Sequence, residues 1–372
     1  MLFSAQRTLE WSFTVSKTLT GFLSSTDHSP VFDLPQLHAR PTALELLDTL
    51  DILKTQAPSW DRGDKSKCIE SNAVVKKPQV APEGVTNYLT SIIASQLRWI
   101  KDDEQKEVIW EAASLRLAER SGRTAMPAIS RTFTILTQTN SFDLSIYEPS
   151  LTGDSLGFKT WAASFLLSRR LKHIDLPRPI NGQLRALELG SGTGLVGMAL
   201  AGITGASVLL TDLPEIESNL VRNVEQNVAA IIERGGQAQT AILDWTSPSE
   251  IIMSTSSTEP GLDAATLSSV TTEKFPLVVA ADSIYSAEHP DMLVGAIKTW
   301  LAPGSTSRVV MEMPRREGYE AELNDLKTRM LQLGLRVLDE GEETGYDDWG
   351  GSGEDELQEV NCWWSVWGWA TT

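Results

Sequence analysis

The stretch LELGSGTGLVG, residues 187–197, decides the fold. A short apolar run and an acid lead into four glycines, and two overlapping patterns fit them. Gly192, Gly194 and Gly197 match the G-x-G-x-x-G spacing of a dinucleotide-binding turn. Gly190, Gly192 and Gly194 match a second spacing, with Glu188 two residues ahead of the first glycine. In either phase, a strand, a tight turn and an apolar helix would aim backbone N–H groups at a ligand. Glycine also serves such turns for steric reasons alone.

Charge separates the two phases. A pyrophosphate would lie against this turn, and Glu188 at its mouth repels it. No Lys or Arg stands between Arg185 and Arg222 to offset that repulsion. No G-K-[ST] follows, so the turn is not a P-loop. A ligand with an ammonium or a sulfonium and no phosphate suits the site better, and S-adenosylmethionine has both. The phase starting at Gly190 is therefore preferred, with Gly197 read as close helix packing.

The second strand, ASVLLTD, ends at Asp212, 22 residues after Gly190. A carboxylate there can take both ribose hydroxyls. That is neutral between NAD and S-adenosylmethionine and argues against NADP. The competing reading makes Asp212 the N-cap of the helix that follows Leu213-Pro214. Beyond the third strand stand Asp244 and Trp245, an acid for an adenine amino group and an indole for its face. They serve equally well as a helix cap and a sheet-packing side chain.

Outward from the turn, strands and helices alternate. RALEL, ASVLLTD, QTAIL, FPLVVAAD, SRVVMEMP, GLRVLDEG and VNCWWSVWGWA read as seven strands. Helices stand between them at GLVGMALAG, EIESNLVRNVEQNVAAII, MLVGAIKTWL and YEAELNDLKTRMLQLG. The expected fold is a Rossmann-like, doubly wound α/β sheet of seven strands with an antiparallel last strand. The uncharged run Leu189–Thr211, 23 residues with six glycines, is the centre of a βαβ unit, not a membrane span. The Ser/Thr/Pro-rich stretch 246–274 predicts a loop with a poor helix inside it.

Upstream, 130–138 and 142–148 read as a β-hairpin. GFKTWAASFLLSRRLKH, 157–173, reads as a helix opening near Lys159. Residues 1–125 form a mainly helical region and 126–372 the main domain, hairpin included. Leu44, Leu47, Leu50 and Leu53, three apart, give 42–56 a helical periodicity, 59–84 is a loop, and 85–120 is helical. Residues 1–30 lack the apolar core of a secretory signal. A transit peptide stays open, with Glu10 against it.

In order along the chain, ELGSGTG, LTDLPE, LDW and AADSIYS resemble the seven-β-strand S-adenosylmethionine-dependent methyltransferases, and within them the protein-lysine methyltransferases. The resemblance implies that Glu188, Gly190, Gly192 and Gly194 meet the methionine and ribose portions, with Asp212 on the ribose. It places Asp244, Trp245 and Ala281 around the cofactor, and Trp161 in its pocket. It makes Asp282 and Tyr285, a D-x-x-Y motif after the fourth strand, the catalytic pair. SGRTAMP, EPSLTGDSLGFKTW and EETGYDDWGG…CWWSVWGW resemble, more narrowly, fungal lysine methyltransferases acting on translation elongation factor 2.

The remaining expectations concern partners. With 32 basic against 49 acidic residues, net −17, the chain lacks the basic face of a nucleic-acid binder and suits a basic protein partner. Two distant cysteines and four scattered histidines give no zinc spacing. The run 339–359 holds ten acids and no Lys or Arg, read either as a docking loop or as a solvated one. On the last strand, Trp363, Trp367 and Trp369 share one face and Trp364 takes the other. A cytoplasmic, monomeric lysine methyltransferase is expected, without nucleic-acid or membrane contact and without a metal. The rivals are a small-molecule N- or O-methyltransferase, an inactive cofactor-binding scaffold and an NAD-dependent reductase.

Overall fold

The structure, a computed structural model, describes residues 31–55, 60, 80, 84–120, 127–150, 156–178, 182–254, 273–348 and 357–370. The expectations for residues 1–30, for most of 59–84 and for the poor helix in 246–274 lie outside them. The chain divides into two compact units, Met1–Lys54 with Glu70–Leu117, and Thr55–Ile69 with Ala118–Thr372.

Among its described residues the first unit has three α-helices: α1 (Ala43–Ile52), α2 (Val85–Ala94) and α3 (Asp103–Ala118). A capping box starts α1. The Thr42 hydroxyl accepts from Glu45 N–H, and the Glu45 carboxylate accepts from Thr42 N–H. The buried face of α1 is Leu46, Leu50 and Leu53, while Leu44 is 68% exposed. The helix read from the leucine spacing is present, and its buried leucines fall at i, i+4 and i+7 because the helix repeats every 3.6 residues.

The second unit begins with a hairpin, β1 (Ile129–Leu136) and β2 (Ser141–Glu148), followed by α4 (Ala162–Arg170). The helix α4 opens three residues later than expected. Thr160 N–H donates to the Glu148 carboxylate at 3.0 Å and Lys159 Nζ to Pro149 O at 3.0 Å, which holds the approach to Trp161 extended. The alternating part follows as β3 (Arg185–Leu189), α5 (Leu195–Thr204), β4 (Ser207–Asp212), α6 (Pro214–Ile232), β5 (Gln237–Ile242) and β6 (Ile252–Met253). It closes with β7 (Leu277–Ala281), α7 (His289–Trp300), β8 (Arg308–Pro314), α8 (Glu320–Gln332), β9 (Leu335–Asp347) and β10 (Gln358–Trp369).

The sheet runs β6-β5-β4-β3-β7-β8-β10-β9. Five central strands, β5, β4, β3, β7 and β8, are parallel, and β10 runs antiparallel between β8 and β9. The seven expected strands and the reversed last one are present. The eighth, β6, is a two-residue antiparallel edge inside the stretch read as a loop. On β10, Trp363, Trp367 and Trp369 pack on one face of the sheet and Trp364 on the other.

The acidic run after 338 is not wholly a loop. Residues up to Asp347 extend β9, and three of its acids, with Asp348 just beyond it, pair with this chain's own donors. Glu343 pairs with Arg170 at 2.6 Å and Glu342 with Arg315. Glu340 accepts from Trp363 Nε1 at 2.8 Å, and Asp348 pairs with Arg131 at 2.5 Å.

Helix α6 is amphipathic in an unusual way: Asn219, Asn223 and Asn227 lie on its buried face, while Val228 is 44% exposed. The Asn227 amide accepts from Ser145 N–H at 2.8 Å and donates to Ser145 O at 2.8 Å. Asn223 does the same for Tyr147, at 2.9 and 3.1 Å, and also donates to Thr193 O at 3.0 Å. Four residues of helix rise about 6 Å and two residues of strand about 6.7 Å. Amides four apart on α6 thus pair with alternate residues of β2, as a further strand would. Asn223→Ala leaves Tyr147 N–H and Thr193 O without their side-chain partner, while Tyr147 O keeps the Asn219 amide at 3.3 Å; it is expected to destabilise the protein by about 1–3 kcal/mol, read as a drop in the urea midpoint.

Candidate active site

The C-terminal ends of β3, β4 and β7 meet at the glycine turn, the place where open parallel sheets bind ligands. Gly190 has φ +67° and Gly192 φ +53°, the left-handed region that side chains disfavour. Each also lies against a neighbour. A Cβ at Gly190 would stand 3.1 Å from the Trp245 ring, and one at Gly192 would stand 3.1 Å from Gly157 O. Gly194, at φ +86°, is the N-cap of α5.

Glu188 is not at the mouth of the turn. It is 2% exposed, and its Oε2 accepts from Gly197 N–H at 3.0 Å, beneath the turn in the first coil of α5. Burial pushes its carboxyl up to about 8. Gly197 is glycine for contact. A Cβ there would run into Glu188 Oε2 and stand 2.7 Å from Leu210 Cγ. The expected close packing is therefore observed, and Glu188 is what it packs on.

Asp212 ends β4. Its Oδ2 accepts from Gly192 N–H at 2.6 Å and its Oδ1 from Leu213 N–H at 2.8 Å. The N-cap of α6 is Leu213, with Pro214 in the first turn, so Asp212 lies one residue before the cap and spends its carboxylate on the glycine turn. Burial pushes it up to about 6. The Trp245 indole closes over Gly190. Asp244 is exposed, and its Oδ1 accepts from Thr246 N–H and hydroxyl at 2.8 Å, within its own turn.

Asp282 is one of three non-glycine residues with positive φ among those described, at +52°. Such a backbone, directly after the fully buried β7, is the kind of strain that clusters at functional sites. Ala281 is buried and pairs with Glu312 of β8. Arg316 Nη2 lies 2.9 Å from Asp282 Oδ1 and 3.0 Å from Oδ2, and the Arg316 guanidinium stands 5.3 Å from the centre of the Trp161 ring. Burial pushes Asp282 up to about 6, against the opposing pull of Arg316. Trp161, the N-cap of α4, is half-buried and donates from Nε1 to Leu156 O at 3.3 Å.

Tyr285 is 45% exposed, and its ring meets His289 edge-on at 4.1 Å. His289 also stands edge-on to Trp245 at 6.2 Å, and its Nδ1 lies 3.2 Å from Ser283 O. The segment between Asp282 and Tyr285 is not helical. Two chains of contact result: Trp161–Arg316–Asp282, and Gly190–Trp245–His289–Tyr285. Arg316 and His289 were not among the expected site residues. Arg316 carries a readable signal, since it stands two residues past β8, at the ligand-binding end of the sheet.

A methyl donor without phosphate fits these residues. Three raised carboxyls, Glu188, Asp212 and Asp282, crowd one end of the sheet, and the glycine faces are closed by Trp245 and Gly157. The raised Glu188 has a consequence for folding. The folded chain keeps this proton where the unfolded chain has released it, so the contribution is full below about 4.5 and lost as pH rises through about 8. Glu188→Gln removes the slope. Its urea midpoint is expected to gain on that of the unsubstituted protein between about pH 5 and about pH 8.5.

Comparison with known proteins agrees with this geometry. A lysine methyltransferase family model matches residues 138–259. "Protein-lysine N-methyltransferase rrg1" of Schizosaccharomyces pombe is 32% identical over 336 residues, 90% of this chain and 97% of that protein. "Protein-lysine N-methyltransferase EFM2" of Saccharomyces cerevisiae is 34% identical over 73% of this chain and 64% of that protein. "EEF1A lysine methyltransferase 3" of Mus musculus is 28% identical over 42% of this chain and 57% of that protein. An acid-lined glycine turn on a mainly parallel sheet, within a chain so similar over its length to the first of these, leads to one assignment: the chain belongs to the protein-lysine N-methyltransferases.

Proposed function

We propose that this enzyme moves a methyl group from S-adenosylmethionine to a lysine of a protein substrate, and that the substrate is translation elongation factor 2. The observation that carries the reading is the pair of carboxylates Asp212 and Asp282 at the ends of β4 and β7, one bonded to the glycine turn and the other paired with a cation, which suits a cationic donor and a cationic acceptor. The elongation-factor class is supported by the mouse relative's name. Factor 2 follows the sequence resemblance. The second compact unit, which contains 126–372, is read as the catalytic domain and the first unit as an accessory region. The enzyme is read as a cytoplasmic monomer that contacts neither nucleic acid nor membrane.

Gly190, Gly192, Gly194, Asp212, Trp245 and Trp161 form the cofactor end of the site, with Glu188 fixing the turn from below. Ala281 and Asp244 stand at its edge. When bound, S-adenosylmethionine supplies an electrophilic methyl carbon on a sulfonium. The protein's task is then to bring a lysine nitrogen in line with it, and positioning supplies much of such a rate. Asp282, whose side chain is 5% exposed, holds the arriving ammonium, and its raised carboxyl is suited to receive the proton the lysine must lose. The half-exposed Tyr285 ring guides the cation by its face.

The test is incubation with methyl-labelled S-adenosylmethionine and an extract from cells lacking the gene. One labelled band at the mass of elongation factor 2 is expected. A band of another mass overturns the substrate, and label in small molecules alone overturns the protein-lysine reading. Asp282→Ala is expected to lower transfer about 100-fold or more while the protein still binds cofactor in calorimetry.

A further inference from the structure

The pair formed by Asp282 and Arg316 has a geometry of its own. The Asp282 side chain is 5% exposed and that of Arg316 is 32% exposed, so the guanidinium lies between the carboxylate and solvent. One nitrogen, Nη2, stands 2.9 and 3.0 Å from the two carboxylate oxygens. The other side of the group is the Trp161 indole, 5.3 Å away. An aromatic face and a buried carboxylate together form an environment that attracts a cation such as a lysine ammonium. Here a side chain of the enzyme fills it.

We propose that Arg316 is a positioning residue that stands in for the substrate ammonium, holding the Asp282 carboxylate ionised and aimed until the lysine arrives and displaces it towards solvent. The inference rests on the assignment of Asp282 to the lysine end of the site. Arg316 is suited to the task because its fork stays charged and its planar group rests on the indole. Without it, Asp282 would face a surrounding that is otherwise neutral or acidic. Asp347 at the end of β9 raises the Asp282 carboxyl further. Glu312 on β8 is wholly buried, with its carboxyl held well up by burial. Cys362 on β10 is buried with its thiol pushed up, and Tyr285 lies on the same segment as Asp282. Among these groups, Arg316 is the cation that opposes protonation of Asp282.

The test compares the unsubstituted enzyme, Arg316→Gln, Arg316→Lys and Asp282→Asn in label transfer to the extract across pH. Arg316→Gln is expected to move the acid limb of kcat/KM upward by about one pH unit or more, because a lost opposite charge favours the neutral carboxyl. Arg316→Lys, which keeps the charge, is expected to leave the limb nearly in place. Above the limb, Arg316→Gln is expected not to raise KM for the labelled protein, since a competitor for Asp282 is gone. An acid limb unchanged in Arg316→Gln overturns the inference. Full activity in Asp282→Asn instead overturns the assignment of Asp282, and the inference with it. A second measurement needs no substrate: urea midpoints of the two single variants and the Asp282→Asn/Arg316→Gln double variant. Non-additive midpoints at neutral pH that become additive at acid pH support the coupling, and additive midpoints at both overturn it.

Discussion

The glycine turn carries almost no side chains, so its shape is imposed by neighbours. Glu188 reaches under it to Gly197 N–H, Asp212 crosses from β4 to Gly192 N–H, and Asn223 takes Thr193 O from α6. Each of the three is a buried or half-buried polar group whose hydrogen-bonding needs are met by the turn. Each would be costly to leave unpaired. The same three bonds fix β3, β4 and α6 relative to one another. The site and the centre of the sheet are therefore held by one set of contacts, and neither can shift alone.

Around that centre the distribution of charge is uneven. Acids gather at the carboxyl ends of β3, β4 and β7. On the outer strand β9, acids also gather, but there Arg170, Arg315 and Lys327 answer Glu343, Glu342 and Glu340. At the site only Arg316 answers Asp282 among the described ion pairs. The difference separates two uses of carboxylates: one closes the edge of a sheet, the other leaves cationic capacity beside a cleft.

Much of this was legible in the sequence because punctuation is local. Glycine and proline cut the apolar runs at the right places, so the order of strands and helices and the reversed β10 followed. The close packing read at Gly197 is present, while Glu188 acts beneath the turn, where burial of a carboxylate requires the Gly197 N–H, and not at the mouth. What was not legible depends on distant partners. The late start of α4 is set by Glu148, a strand away. The length of β9 is set by pairing with β10 along a polar stretch that looks like a loop. Arg316 was missed because an arginine after a strand resembles any surface cation until Trp161 and Asp282 are seen on either side of it.

The amide ladder on α6 reads in both directions. Asn223 and Asn227 satisfy the open edge of β2, 76 and 82 residues earlier in the chain, so two polar positions on a helix are the counterpart of a two-stranded insertion far upstream. An N-x-x-x-N spacing on the otherwise apolar face of the helix after the second strand thus becomes a marker. Related chains that keep it should keep the hairpin, and chains that lose the hairpin are free to return position 227 to leucine or valine, while Asn223 stays tied to Thr193 O of the glycine turn.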